Sequence, residues 1–142
     1  MSSVFTKIIN GELPGRFIYR DDTVAAFLTI EPLAYGHTLI VPVEEVDKWT
    51  DLAPNVWCEV NEVAQSIGRA VMEAFDAKRA GYVIAGFDVP HTHIHLFPAD
   101  SMAEYDPANA LANVTAEELD ADAEAVRAAL RDLGHGDFVP EA

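Results

Sequence analysis

The stretch "DVPHTHIHLFPAD", residues 88–100, sets His91, His93 and His95 at every second position of an apolar run. Alternate side chains of an extended chain share a face, so the three imidazoles are expected on one side of a strand, about 6.6 Å apart. That period of two, between segments of helical period, decides the fold class.

Immediately upstream, "RAGYVIAGF" reads as the preceding strand, joined by a tight "GFDVP" connection, and Pro98 is expected to end the histidine strand. Before it, "APNVWCEVNEVAQSIGRAVMEAF" is the clearest helix. Val56, Val60, Val63, Ile67, Val71 and Ala74 fall on one stripe, Pro54 suits the first turn, and Asp51 is a candidate cap. Further upstream, "RFIYRDD", "VAAFLTI" and "HTLIVPV" read as strands, the first two joined through an acidic turn at Asp21-Asp22. Ser3 is placed to cap a short helix carrying Val4, Phe5, Ile8 and Ile9, with Asn10-Gly11 as its stop.

Downstream, residues 99–114 have no period, and Thr115 with Glu118 forms a capping box that opens a second long helix. Leu119, Ala123, Val126, Leu130 and Leu133 make its stripe, and Gly134 stops it. The element order predicts an α+β fold: an antiparallel sheet with helices packed on it, residues 1–142 forming one domain.

Half the residues are hydrophobic, enough for a core without staples, and the single Cys58 allows no intramolecular disulfide. "MSSVFTKIINGELP" lacks the basic-then-apolar pattern of a secretory signal, and no apolar run reaches bilayer length. A cytoplasmic protein without membrane attachment is expected. The formal charge of −15, from 24 acids against 9 bases, comes with no basic stripe, which excludes a general nucleic-acid binder. Any anion site must therefore be built locally, from histidines and backbone N–H groups.

Three readings of the histidine run differ in chemistry. A solvated or structural face has no need of three imidazoles, and a dry core could not satisfy six ring nitrogens cheaply. Two of them could converge on zinc with His37, Asp88 or Asp100, although regular steps along one strand diverge from an ion that needs its nitrogens within about 2.1 Å. A neutral imidazole can instead attack phosphorus, provided its other nitrogen donates to a fixed acceptor. Flanking histidines and the N–H groups of the Gly86–Asp88 turn are placed to stabilise the phosphoryl oxygens.

"HTHIHLFP" resembles the His-x-His-x-His-x-x signature of the histidine triad (HIT) superfamily, with Thr92 as a mild departure from its apolar x positions. "VFTKIINGELP" and "VAAFLTIEPLAYGHTLIVP" are similar to two further blocks of that family, so the resemblance covers roughly residues 3–98, closest to its Hint-like branch. It implies a five-stranded antiparallel sheet with a long central helix, to which residues 99–142 add a C-terminal helix, and a homodimer. It implies hydrolysis or transfer at the α-phosphorus of purine nucleoside monophosphate derivatives, without a cofactor. His93 is the implied nucleophile, its second nitrogen held by a carbonyl such as that of His91. His95 is implied to bond the phosphoryl or leaving group, with His37 and His91 in support.

The base pocket implied by the resemblance is Phe5, Ile8, Phe27 and Ile30, with Leu28 nearby, and Thr29 stands where the family often has a ribose-binding Asp. Gly86, Phe87 and Asp88 fall on the leaving-group side, with Phe87 and Asp88 where Gln and a small hydroxyl residue are common. Ser3, Thr6 and Glu45 occupy positions where some bacterial relatives hold structural zinc, so no metal is expected. A purine nucleoside phosphoramidase is the leading expectation. A dinucleoside polyphosphate hydrolase, a nucleotide-binding scaffold with little turnover and a metal-dependent hydrolase are the alternatives. The tail "GHGDFVPEA" is a segment that could reach the site.

Overall fold

The computed structural model describes residues 2–141. Helix α1 (Val4–Ile9) precedes strands β1 (Phe17–Arg20), β2 (Val24–Leu28) and β3 (Thr38–Pro42). Helix α2 (Pro54–Phe75), strands β4 (Arg79–Val83) and β5 (Ile94–Ala99) and helix α3 (Ala116–Asp132) follow. The strands form one five-stranded antiparallel sheet in the order β1-β2-β3-β5-β4.

Alternation along the strands divides the residues between two faces. Val24, Ala26 and Leu28 of β2, Ile40 of β3 and Ile94 and Leu96 of β5 pack beneath α2 and α3. They meet Val60, Ile67 and Val71 from one helix and Leu119, Val126 and Leu130 from the other. On the opposite face, Ala25, Phe27, Leu39 and Val41 meet Phe5 and Ile9 of α1. Six residues of helix are marginal alone. Two features hold α1 in place: the Ser3 hydroxyl accepts from the Thr6 N–H, and Phe5 and Ile9 are buried.

Four local readings change. The residue before α2 is Ala53, without a side-chain cap, and Asp51 belongs to a 3-10 turn at Trp49–Asp51. Pro54, first in the helix, brings no N–H, so one of the four orphan donors of a helix start is absent. Regular pairing of β5 begins only at Ile94: the His91 N–H turns back to the Val89 carbonyl, and the Thr92 N–H goes to Val46. The histidine stretch is therefore only partly strand. Pro98 lies inside β5, paired with Ala80, because β3 reaches no further than Leu96 and nothing on that side needs a donor. Leu133 is the C-cap of α3 and 40% exposed, three residues beyond Leu130, the last buried member of the stripe.

The segment before β3 turns at Gly36, whose φ of +91° and contact with the Phe75 ring leave no place for a Cβ. This turn delivers His37 to the α1 face, in phase with Leu39 and Val41. No helix among the described residues is long and apolar enough to cross a membrane.

Candidate active site

His91, His93, His95 and His37 converge on the α1 face beside Phe5. The His93 ring lies 4.9 Å from that of His95 and 4.8 Å from that of Phe5, both edge-on. His37, just ahead of β3, approaches His95, with ring centroids 5.3 Å apart. His91 is fully buried and His93 is 4% exposed.

Each ring's partners assign its protons. The Leu33 N–H donates to His37 Nδ1 at 2.9 Å, so a neutral His37 carries its proton on Nε2. That nitrogen lies 3.1 Å from His95 Nδ1, to which it donates. His95 is thereby left with its proton on Nε2. His91 Nε2 donates to the Pro42 carbonyl at 2.7 Å, and its Nδ1 accepts from the Ser3 hydroxyl at 2.7 Å. His93 Nδ1 donates to the His91 carbonyl at 2.7 Å, so in its neutral form the lone pair sits on Nε2.

Burial keeps the supporting rings uncharged. Desolvation, reinforced by the neighbouring His95, pulls the pKa of His37 from 6.5 to about 3. His95 is lowered to about 4, by desolvation first and His93 second, with the Asp88 carboxylate opposing. Desolvation also lowers His91, against the opposing pull of its bond to Pro42 and of Glu45. Among the described residues, the buried side-chain polar atom without a partner is Asp122 Oδ2 on α3, so neither His93 Nε2 nor His95 Nε2 is sealed away. The site thus presents a lone pair and an N–H donor from neighbouring rings.

Both ring nitrogens of His91 and of His37 are engaged by the protein. Grouped with the catalytic histidines and expected in support of His93 and His95, these two residues have no ring nitrogen left for a bound molecule. Phe5, Ile8 and Phe27 do form one wall, with Leu39 and Val89 added. Leu28 does not belong to it: one residue beyond Phe27, it points into the opposite core beneath the helices. Ile30 is 75% exposed and packs in neither core, so it is not part of this wall.

Thr29 is held by its N–H to the His37 carbonyl, and its hydroxyl accepts from the Glu31 N–H at 3.2 Å. Gly86 turns with φ +80°, the Phe87 and Asp88 that follow it are exposed, and Gly86 and Phe87 line a cavity with His93. The C-terminal tail lies elsewhere: Phe138 packs on Tyr19 and Val139 on the helix-side core, so His135 and its neighbours do not approach the triad.

Two residues, weighed for function in the sequence only as places where relatives hold zinc, have a structural hand in the site. Glu45 Oε1 accepts from the Ser3 N–H and the Thr6 hydroxyl, each at 2.7 Å, which fastens α1 to the chain after β3. Ser3 then bonds His91. Ser3, Thr6 and Glu45 thus form a closed hydrogen-bonded cluster around His91 Nδ1. Two hydroxyls and one carboxylate, with the imidazole nitrogen already accepting a proton, do not fit the thiolate and imidazole donor set of a structural zinc. Among the described residues, no three His, Cys, Asp or Glu side chains are grouped to hold a metal ion.

A family model described as HIT domain matches residues 10–102. An uncharacterized HIT-like protein of Methanocaldococcus jannaschii is 31% identical over 99 residues, covering 67% of this chain and 77% of its own length. The adenosine 5′-monophosphoramidase of Saccharomyces cerevisiae is 30% identical over 96 residues, covering 67% of this chain and 61% of that protein. The crystal structure of a zinc-bound histidine triad family protein from Mycobacterium smegmatis superposes with a TM-score of 0.79 at 28% identity, over 96% of this chain and 98% of that one.

Proposed function

This chain belongs to the histidine triad (HIT) family, which includes nucleotide hydrolases, and from that premise we propose that it hydrolyses purine nucleoside phosphoramidates through a covalent nucleotidyl–His93 intermediate. The observation that carries the proposal is the 2.7 Å bond from His93 Nδ1 to the His91 carbonyl. It fixes the tautomer whose Nε2 lone pair can attack.

In the first step His93 Nε2 bonds to the α-phosphorus as the P–N bond breaks. The electron pair passes to the amine nitrogen, which takes a proton from water and departs. The positive charge that develops on the His93 ring is met by the His91 carbonyl, while the His95 Nε2–H donates to a phosphoryl oxygen. In the second step water attacks phosphorus, the Nε2–P bond returns its electrons to His93, and a proton is released with the nucleoside monophosphate. Phe5, Ile8 and Phe27 supply an apolar wall for the base. The Gly86–Asp88 backbone N–H groups, which enter none of the backbone hydrogen bonds of the turns and loops, are available to the phosphate.

The proposal extends to a cytoplasmic homodimer. Strand β4 is a sheet edge, and a cleft of about 700 Å3 between it and α2, lined by Cys58, Arg69, Met72 and Tyr82, offers the partner's seat.

Incubation with adenosine 5′-phosphoramidate followed by acid-free mass spectrometry is expected to show AMP added at His93. His93→Ala should lose at least about a thousandfold in kcat/KM while keeping its fold. Wild-type turnover in His93→Ala would refute the mechanism. Tight AMP binding with no hydrolysis of any conjugate would make the protein a nucleotide-binding scaffold instead.

A further inference from the structure

Helix α3 packs on the face of the sheet opposite His37, yet it grips the segment that delivers that residue. The match to the HIT model ends at residue 102, and three residues beyond it reach back to positions 32–36. The Leu111 N–H donates to the Pro32 carbonyl at 3.0 Å. Glu118 and Asp122, four apart on α3, share one side of the helix. The Tyr35 hydroxyl donates to the Glu118 carboxylate, and the Gly36 backbone N–H donates to the Asp122 carboxyl.

For stability alone Asp122 is a poor choice. Its Oδ2 is buried and has no partner among the described residues. Desolvation raises the pKa of the carboxyl, the Gly36 bond opposes that rise, and Glu118 adds to it. A half-satisfied buried carboxyl costs more than an amide of the same shape, so a reason for its presence is needed. The acceptor it supplies is one. Gly36 is buried, and among the described residues its N–H enters none of the backbone hydrogen bonds of the turns and loops. The turn depends on this residue, with φ +91°, the Phe75 ring against its Cα and its carbonyl accepting from the Thr38 hydroxyl at 3.0 Å. The next residue is His37.

We propose that Asp122 is a positioning residue of the active site, holding the Gly36 turn so that His37 presents its Nε2–H to His95. The inference rests on the phosphoramidase reading above and extends that site to α3. The His37 N–H closes the turn on the Ala34 carbonyl at 3.1 Å, and the Leu33 N–H reaches His37 Nδ1 only while the turn stays closed. His37 Nε2 then lies 3.1 Å from His95 Nδ1, which leaves the His95 Nε2–H for a phosphoryl oxygen. The charge that acts on His37 is that of His95, not of Asp122. The effect therefore runs through the backbone, and an amide can replace the carboxyl.

The test records imidazole 15N spectra of the wild type, Asp122→Asn and Asp122→Ala, with kcat and KM for adenosine 5′-phosphoramidate. Wild-type shifts should show His37 and His95 protonated on Nε2. Asp122→Asn, whose amide oxygen can accept the Gly36 N–H, should keep these shifts and kcat. Asp122→Ala should average the His37 nitrogen shifts and lower kcat roughly threefold to tenfold, the range of one hydrogen bond, with KM unchanged. Leu130→Ala weakens α3 from within the core and should lower the urea midpoint while leaving kcat and the His37 shifts of the folded protein as they are. Wild-type shifts in Asp122→Ala, averaged shifts in Asp122→Asn, or an equal loss of kcat in Leu130→Ala overturns the positioning role. If Asp122→Ala does not fold, Asp122→Leu, which fills the space without an acceptor, is read by the same two outcomes. If the wild type turns over no phosphoramidate, the functional reading falls and the spectra alone decide whether Asp122 positions His37.

Discussion

Beneath α2 and α3 the sheet presents Val24, Ala26, Leu28, Ile40, Ile94 and Leu96 to a dry apolar core. Under α1 the same strands present Phe27 and Leu39 beside four imidazoles. The first face holds the domain together chiefly through buried apolar area, and no histidine lies in it. The second buries polar rings, and each of its supporting nitrogens has a partner that decides where a proton sits. Burying a polar group is tolerable only when it is bonded, so the cost of that face is met by hydrogen bonds and its function follows from their direction. Neighbouring residues on one strand can therefore belong to different physical regimes.

Acidification should separate the faces most strongly. His37 and His95 titrate at about 3 and about 4 when folded, against 6.5 when free. Between those values the unfolded chain binds protons that the folded one refuses, so stability is full above pH 6.5 and is lost as pH falls through 4 for His95 and toward 3 for His37. One pH unit of that window is worth about 1.4 kcal/mol per histidine. Urea unfolding midpoints across pH 4–7 should show this slope, and His37→Phe should flatten it. An equally steep slope in His37→Phe would assign the acid sensitivity to groups outside the histidine face.

An adjacent pair then sharpens the contrast. Phe27→Ala and Leu28→Ala should each destabilise by about 2–5 kcal/mol, since both side chains are buried. Only Phe27→Ala should also raise KM for adenosine phosphoramidate, because Leu28 faces the helices. Equal KM effects from the two would erase the distinction between wall and core.

The smallest effect concerns the lock on α1. Ser3→Ala removes a helix cap and the donor to a buried His91 nitrogen, a loss of about 1–2 kcal/mol in unfolding free energy. Because Phe5 rides on the same helix against His93, KM should rise in parallel. Wild-type stability and KM in Ser3→Ala would show that Phe5 packing alone seats the helix.

Much of this was legible in the chain. The stripes of α2 and α3, the cap at Thr115 and the short helix after Ser3 follow from local spacing, and so does the face shared by His37 and Leu39. The same alternation should have excluded Leu28 from the pocket, since Phe27 and Leu28 cannot face one way in a strand. The three histidines were harder. A regular comb was the natural reading of their spacing, but the chain reaches regular strand geometry only at Ile94, after Thr92 has bonded sideways to Val46. The tail was opaque too, since its place on Tyr19 depends on a ring from β1.

From its sequence alone the protein takes its helices, its strands, the sorting of apolar residues onto faces and the place of His93 among its neighbours. These are properties of nearest neighbours, fixed by periods of two and 3.6. The protonation pattern of the site could come only from the tertiary structure. Ser3 meets His91 across 88 residues, His37 meets His95 across 58, and Glu45 meets Ser3 across 42. A hydrogen bond acts over about 3 Å and carries no trace in the chain between its ends, so only the folded arrangement determines which nitrogen holds the proton and which the lone pair.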